Sequence, residues 1–225
     1  MVEILWRTSD FVVCVKPAGV VSQDAGENSL PGLLRAQLHT EYMGVIHRLD
    51  REVGGVMVYA LTPKAAAALS RSVQERTMEK TYLAVLRGVP SEAAGKLEDL
   101  LYHDKARNKT FVVDRKRNGV RDACLEYALL ETAGNRALAQ VRLKTGRTHQ
   151  IRVQFASRGT PLVGDGKYGG KEPGVPLGLW SCRLAFPAPA TGEPMEFFRL
   201  PPDAAPWDQF QIITERRDWI NDLHQ

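Results

Sequence analysis

The chain is short of most features that would place it in an extracellular, metal-binding or membrane class. It has only three cysteines in 225 residues. Cys14, Cys124 and Cys182 are too far apart for a zinc pattern, and their odd number argues against a disulfide framework. The opening MVEILWRTSD shows no basic segment leading into an apolar one, so no secretory signal is expected. No apolar run approaches the roughly 20 residues that a membrane span needs. Internal repeats, low-complexity tracts and coiled-coil heptads are absent too. These gaps leave a cytoplasmic, non-membrane globular protein as the expectation, with enough chain to bury a sizeable core.

Charge of one sign is not in large excess either, with 30 Lys and Arg against 26 Asp and Glu. What counts is where the surplus sits. The segment HDKARNKTFVVDRKRNGVR, residues 103–121, holds seven Lys or Arg and two Asp, while RLKTGRTHQIRVQFASR, residues 142–158, holds five and no acid. Such segregation suits a face that tracks phosphates.

Local signals point to an α+β chain, rich in strands with a few covering helices. FVVCV reads as a buried strand ended by the turn KPAGV, and SLPGLLRAQL as a short helix capped by Ser29. GVMVYA is a second strand, followed by Thr62-Pro63 as cap and first turn of a helix through KAAAALSRSVQER. KTYLAVLRG is a strand. Further strands follow in residues 96–113, ACLEYALLE and ALAQVRL, and THQIRVQFASRG is a helix stopped by Gly159. LWSCRLAF and MEFF close the sheet. The tail from Pro201 is expected to end as an amphipathic helix, with Trp207, Phe210, Ile213 and Trp219 packed on the body.

Two motif likenesses fail on register. HRLD differs from the His-Arg-Asp of a kinase catalytic loop, and no glycine-rich loop precedes it. GTPLVGDGKY has Asp165 where a phosphate loop needs lysine. Three other stretches carry chemistry. In GVIHRLDREVGG, Asp50 lies between Arg48 and Arg51 just before a Gly-Gly turn. Neighbouring cations and turn amides favour the charged form of a carboxylate, which a nucleophile requires; an exposed ion pair on a loop is the plainer alternative. In TGRTHQIR, the glycine allows a turn that leaves Arg147 in a loop, with His149 and Arg152 three apart on the following helix. Cations at a helix start suit phosphates or a carboxylate partner, or else form a solvated basic face. Tyr82, on the strand EKTYLAVLRG, is either a core residue or an aromatic surface for a planar base.

Together and in this order, DFVVCVKPAGVVSQ, IHRLDREVGGVMVYALT, EKTYLAVLRG, LKTGRTHQIRVQFASRGTPLVGDGKYGG and LWSCRLAF resemble the RluA-type pseudouridine synthases, from about Asp10 to Phe186. The resemblance implies one catalytic domain over residues 1–225, its largely antiparallel mixed sheet spread over two half-domains around a central cleft. It leaves no room before Asp10 for the S4 RNA-binding domain of many members. It implies Asp50 as the catalytic carboxylate, Arg147 as the cation that positions it, and Tyr82 stacked on the target uracil. Ile151 would pack around the base and Arg48 would fill the space that the extruded uridine leaves. His47, Lys80 and Thr148 complete the substrate-binding set.

The implied reaction breaks the uridine N-glycosidic bond and rejoins the base through C5, with no metal or organic cofactor. Its substrate would be structured ribosomal or transfer RNA, bound by a monomer. Unstacking the base costs about a few kcal/mol, which basic contacts and an aromatic surface offset. This chain departs from the family at Glu52-Val53-Gly54-Gly55, where an acid, Thr, Ser and Gly are usual. The alternative from another class is a non-catalytic RNA-binding or RNA-chaperone protein on the same scaffold. A glycoside hydrolase would need a second acid near the first, and Glu52 is badly offset for that.

Overall fold

The computed structural model describes residues 1–214. In chain order the elements are β1 (Glu3–Arg7), β2 (Phe11–Lys16), α1 (Leu30–Leu38), β3 (Gly44–Val45), β4 (Gly54–Ala60), α2 (Pro63–Gln74), β5 (Glu79–Arg87) and β6 (Ala94–Asp104). There follow β7 (Lys109–Val113), β8 (Val120–Ala133), β9 (Arg136–Leu143), α3 (Gln150–Ala156), β10 (Leu179–Pro187), β11 (Pro194–Phe198) and α4 (Gln211–Thr214). The class is α+β, as the sequence leads one to expect. The chain divides into two compact units, one of residues Met1–Lys80 with Trp180–Pro201, the other of Thr81–Leu179 with the chain from Pro202 on. None of the described helices is long and apolar enough to cross a membrane.

In the first unit the strands run β1-β2-β4-β10, with β11 beside β10 and β3 beside β4. Six residue pairs, from Phe11 opposite Ala60 to Lys16 opposite Gly55, join β2 to β4 antiparallel. The β4–β10 pair is parallel, Trp180 opposite Gly54 and Ser181 opposite Gly55. Every residue of β2 and of β4 is buried, which explains why both read as unbroken apolar runs rather than alternating ones. Val13, Val56 and Val58 pack with Leu69 of α2 and with Leu184 and Phe186 of β10. Thr62 caps α2 through the Ala65 amide at 3.1 Å, with Pro63 in its first turn.

The second unit is an antiparallel sheet in the order β5-β9-β8-β6-β7. α3 starts two residues later than THQIRVQFASRG suggests. His149 stands at its N-cap with φ 54°, so Thr148 and His149 belong to the turn, not to the helix face. At the β8 bulge near Leu129 and Glu131, the Glu131 carboxylate accepts the Gln211 and Ile212 amides, both at 2.9 Å. Trp207, Phe210 and Ile213 are buried, as expected of the tail. Trp219 and the rest of the expected terminal helix lie outside the described residues.

The glycine half of the Val53-Gly54 departure matches a steric constraint within the first unit; nothing in the structure explains Val53. A Cβ on Gly54 would lie 2.3 Å from the Trp180 ring, and one on Gly55, whose φ is +124°, would meet the Ser181 carbonyl oxygen at 2.2 Å. Trp180 is itself fixed, its indole N–H donating to the Arg199 carbonyl at 2.8 Å. The indole therefore fills the room that a serine at 54 would take. Gly54→Ser should cost about 2 kcal/mol or more, since crowding a packed core typically costs that much. Trp180→Leu in the same chain should recover much of this loss. Urea unfolding of both single variants and the double variant measures the coupling; strictly additive losses would count against the steric explanation.

Candidate active site

The loop that carries Asp50, residues 47–52, is built against the turn that follows β2. Lys16, the last residue of that strand, is fully buried. Its ammonium donates to three carbonyl oxygens: Pro17 at 2.9 Å, Val20 at 2.6 Å and Arg51 at 3.0 Å. Two acceptors lie in the KPAGV turn and the third directly follows Asp50, so one cation ties the two loops together. The Gly19 amide donates to the same Arg51 carbonyl at 2.8 Å, and Arg51 Nε returns a bond to the Gly19 carbonyl at 2.9 Å. Ser22 Oγ takes the Leu49 amide at 3.1 Å and donates to the Leu49 carbonyl at 2.7 Å. The Tyr59 hydroxyl holds the Ser22 carbonyl at 2.6 Å. The backbone on both sides of Asp50 is thereby fixed, and the Val53 amide closes the turn on the Asp50 carbonyl at 3.1 Å.

The flanking arginines have other work than the sequence suggests. Arg51 is directed at Gly19, and Arg48 Nη1 donates to Gln23 Oε1 at 3.1 Å, so both brace the Asp50 loop against the preceding turn. His47 is a buried imidazole whose Nε2 accepts the Val58 amide at 3.3 Å. Burial, and secondarily the Lys80 charge, push its pKa well below the ordinary histidine value. It is thus a neutral wedge under the loop; the sequence reading placed it among the substrate-binding residues. Lys80 is partly buried, and desolvation lowers its pKa.

In the second unit, Tyr82 and Ile151 are buried, on β5 and α3 respectively. The TGRTHQIR turn is wrapped around Gln150. Its Oε1 accepts the Arg147 amide at 3.0 Å and the Thr145 hydroxyl at 2.8 Å, and its Nε2 donates to the Cys124 carbonyl at 3.1 Å. Arg147 is exposed, with Nε on the Asp122 carbonyl at 3.0 Å. The Thr148 carbonyl accepts the Thr110 hydroxyl at 2.8 Å.

Arg152 is not part of a solvated basic face. It is buried and forked onto Asp165, Nε to Oδ2 at 2.7 Å and Nη2 to Oδ1 at 2.9 Å. Asp165 also receives the Lys167 and Tyr168 amides, at 3.0 and 3.2 Å. The aspartate that spoils the phosphate-loop register is therefore a built counter-ion, and a fork of this kind fixes a guanidinium in one plane. The sequence reading missed Lys16, Arg152 and Asp165 in these roles. A lysine ending an otherwise apolar strand was the available signal for the first; nothing local links Arg152 to Asp165.

A strand-rich α+β fold with a clamped HRLD loop and a GRTHQIR turn is the pseudouridine synthase architecture. The structure superposes on human RNA Pseudouridylate Synthase Domain Containing 1 with TM-score 0.76 at 26% identity, over 92% of this chain and 85% of that one. For human RNA Pseudouridylate Synthase Domain Containing 4 the TM-score is 0.74 at 26% identity, over 89% and 88%. The chain belongs to the RNA pseudouridylate synthase family, whose model matches residues 10–157. Accordingly it is an RNA pseudouridine synthase, an isomerase. An uncharacterized RNA pseudouridine synthase of Aquifex aeolicus is 35% identical over 222 residues, 87% of this chain and 68% of that protein. The ribosomal large subunit pseudouridine synthase D of Pseudomonas aeruginosa is 35% identical over 176 residues, 75% of this chain and 54% of that protein. The chain thus spans about half the length of the latter.

Burial lowers the Lys16 pKa from 10.5 to about 8, against the opposing pull of the Glu52 and Asp50 carboxylates. Between those two pH values the unfolded chain binds a proton that the folded one does not, so stability should rise as pH increases through that window. Below about pH 8 that gain is absent. Lys16→Met should flatten the rise and should also cost roughly 2 kcal/mol at neutral pH, because three hydrogen bonds to the Pro17, Val20 and Arg51 carbonyls are lost. Thermal melts of both proteins across pH 6–11 check this; parallel curves would remove Lys16 as the titrating clamp.

Proposed function

We propose that the protein isomerises uridines in structured RNA, ribosomal RNA before transfer RNA, as a cytoplasmic monomer with Asp50 as its catalytic carboxylate. The observation that carries this reading is the clamp of Lys16, Ser22 and Gly19, which holds the backbone on both sides of Asp50. A loop that only needed to be soluble has no use for a buried ammonium at its root. The preference for ribosomal RNA leans on the name of the Pseudomonas aeruginosa relative. Tyr82 and Ile151 offer the apolar surface for the extruded uracil. Arg48, Thr148 and Lys80 are the further substrate contacts that the family resemblance implies. No observation favours a non-catalytic RNA-binding role.

Arg147 is the cation that the family resemblance pairs with Asp50. A second reading, favoured by burial, gives that task to Arg152, whose guanidinium Asp165 already holds in one plane. A desolvated, oriented charge acts on a carboxylate far more strongly than an exposed one does. Arg147, exposed and near the basic segment, then serves as a phosphate contact.

RNA tritiated at uridine C5 tests both levels. The wild-type protein should release tritium from ribosomal RNA, and Asp50→Asn should abolish release with RNA affinity intact. Release by Asp50→Asn would remove the assignment. Losing the steering arginine should lower kcat by about a hundredfold or more, whereas losing a phosphate contact should weaken binding and reduce its salt dependence by about one unit of slope. Comparing Arg147→Gln with Arg152→Lys therefore decides between them.

A further inference from the structure

A hydrogen-bonded chain in the second unit joins the basic segment to the turn before α3. Thr110, on β7, touches both neighbours of the turn. Its hydroxyl donates to the Thr148 carbonyl at 2.8 Å, and its amide donates to the Tyr168 hydroxyl at 2.7 Å. That hydroxyl lies 2.9 Å from His149 Nδ1. A phenol has one proton to give. The Thr110 amide already donates to that oxygen, and His149 Nδ1 is within reach to accept its proton. Burial raises the Tyr168 pKa, which keeps the group a donor. The exchange leaves Nδ1 unprotonated and puts the ring proton of a neutral His149 on Nε2.

His149 needs such a restraint. Its φ of 54° and ψ of 23° lie in the left-handed region, unfavourable for a residue with a side chain and kept only where surroundings enforce it. Two rings stand edge-on to it, His103 with its centroid 6.2 Å away and Tyr168 at 5.7 Å. Lys109 Nζ and the Arg152 guanidinium each lie 5.4 Å from the Tyr168 ring centroid, so the ring stays in place even without its hydroxyl. Ile151 and Arg152 leave His149 directly into α3, so the geometry at His149 sets where both point.

We infer that Tyr168 is a positioning residue for the isomerisation: its hydroxyl fixes the tautomer and left-handed backbone of His149, and through Thr110 links the RNA-facing β6–β7 segment to the α3 turn. This rests on the reading that α3 and its turn serve the reacting uridine. The β6–β7 turn carries exposed Lys105 and Arg107, so RNA held there bears on Thr110, three to five residues along.

The test is Tyr168→Phe, which keeps the ring and deletes the donor. Two readouts are taken: the ring ¹⁵N shifts of His149, and kcat separately from KM in the tritium-release assay. Wild-type His149 should show a pyridine-type Nδ1 and a pyrrole-type Nε2. The variant should lose that signature, and kcat should drop by about threefold to tenfold, the equivalent of one hydrogen bond, with KM unchanged. An unaltered His149 spectrum overturns the inference whatever the activity. So does an altered spectrum with full kcat, or a change confined to KM. Absence of release by the wild-type protein would defeat the underlying functional reading, and the spectra would still decide the tautomer.

Discussion

The Lys16 ammonium and its three carbonyl acceptors are the constraint on which the candidate site depends. A buried charge without a carboxylate partner is costly. Here it is tolerated because all three of its protons reach backbone oxygens, and because Glu52 and Asp50 sit near enough to moderate the cost. The arrangement gives rigidity where an unsupported loop has none. Asp50 is displayed on backbone held from below by Lys16, from one side by Ser22, and from the other by the reciprocal pairing of Gly19 with Arg51.

A second clamp of the same kind operates in the other unit, with different chemistry. Gln150 gathers Thr145, the Arg147 amide and the Cys124 carbonyl, while Asp165 holds Arg152 and caps the turn at Lys167 and Tyr168. Both clamps use a buried polar side chain to organise backbone, not to touch substrate. In each case full satisfaction of the buried group is what makes the device stable.

Much of the fold could be read from the chain because its local and global signals agree. The unbroken apolar runs of β2 and β4 marked strands buried on both faces, and Ser29 and Thr62 cap α1 and α2 as their positions promised. Reading was least secure where one backbone angle decides: His149 adopts a left-handed conformation that periodicity cannot register, so α3 begins late. The site was legible as motifs and not as contacts. Asp50, Tyr82 and Ile151 sit on the loop, strand and helix expected of them. Adjacency misled for Arg48 and Arg51, whose side chains brace a turn about thirty residues earlier in the chain. Arg152 and Asp165 are thirteen residues apart with a glycine-rich turn between them, and only folding reveals that they form a pair.

The meeting of Gly54 with the Trp180 ring bears on how such a sequence can change over time. The two positions are 126 residues apart in the chain yet share one volume, so neither can drift alone: a hydroxyl-bearing residue at 54 is barred while the indole is present, and a smaller residue at 180 would leave a void that glycine cannot fill. Covariation between these two columns, rather than invariance of either, is the mark that this packing should leave among relatives.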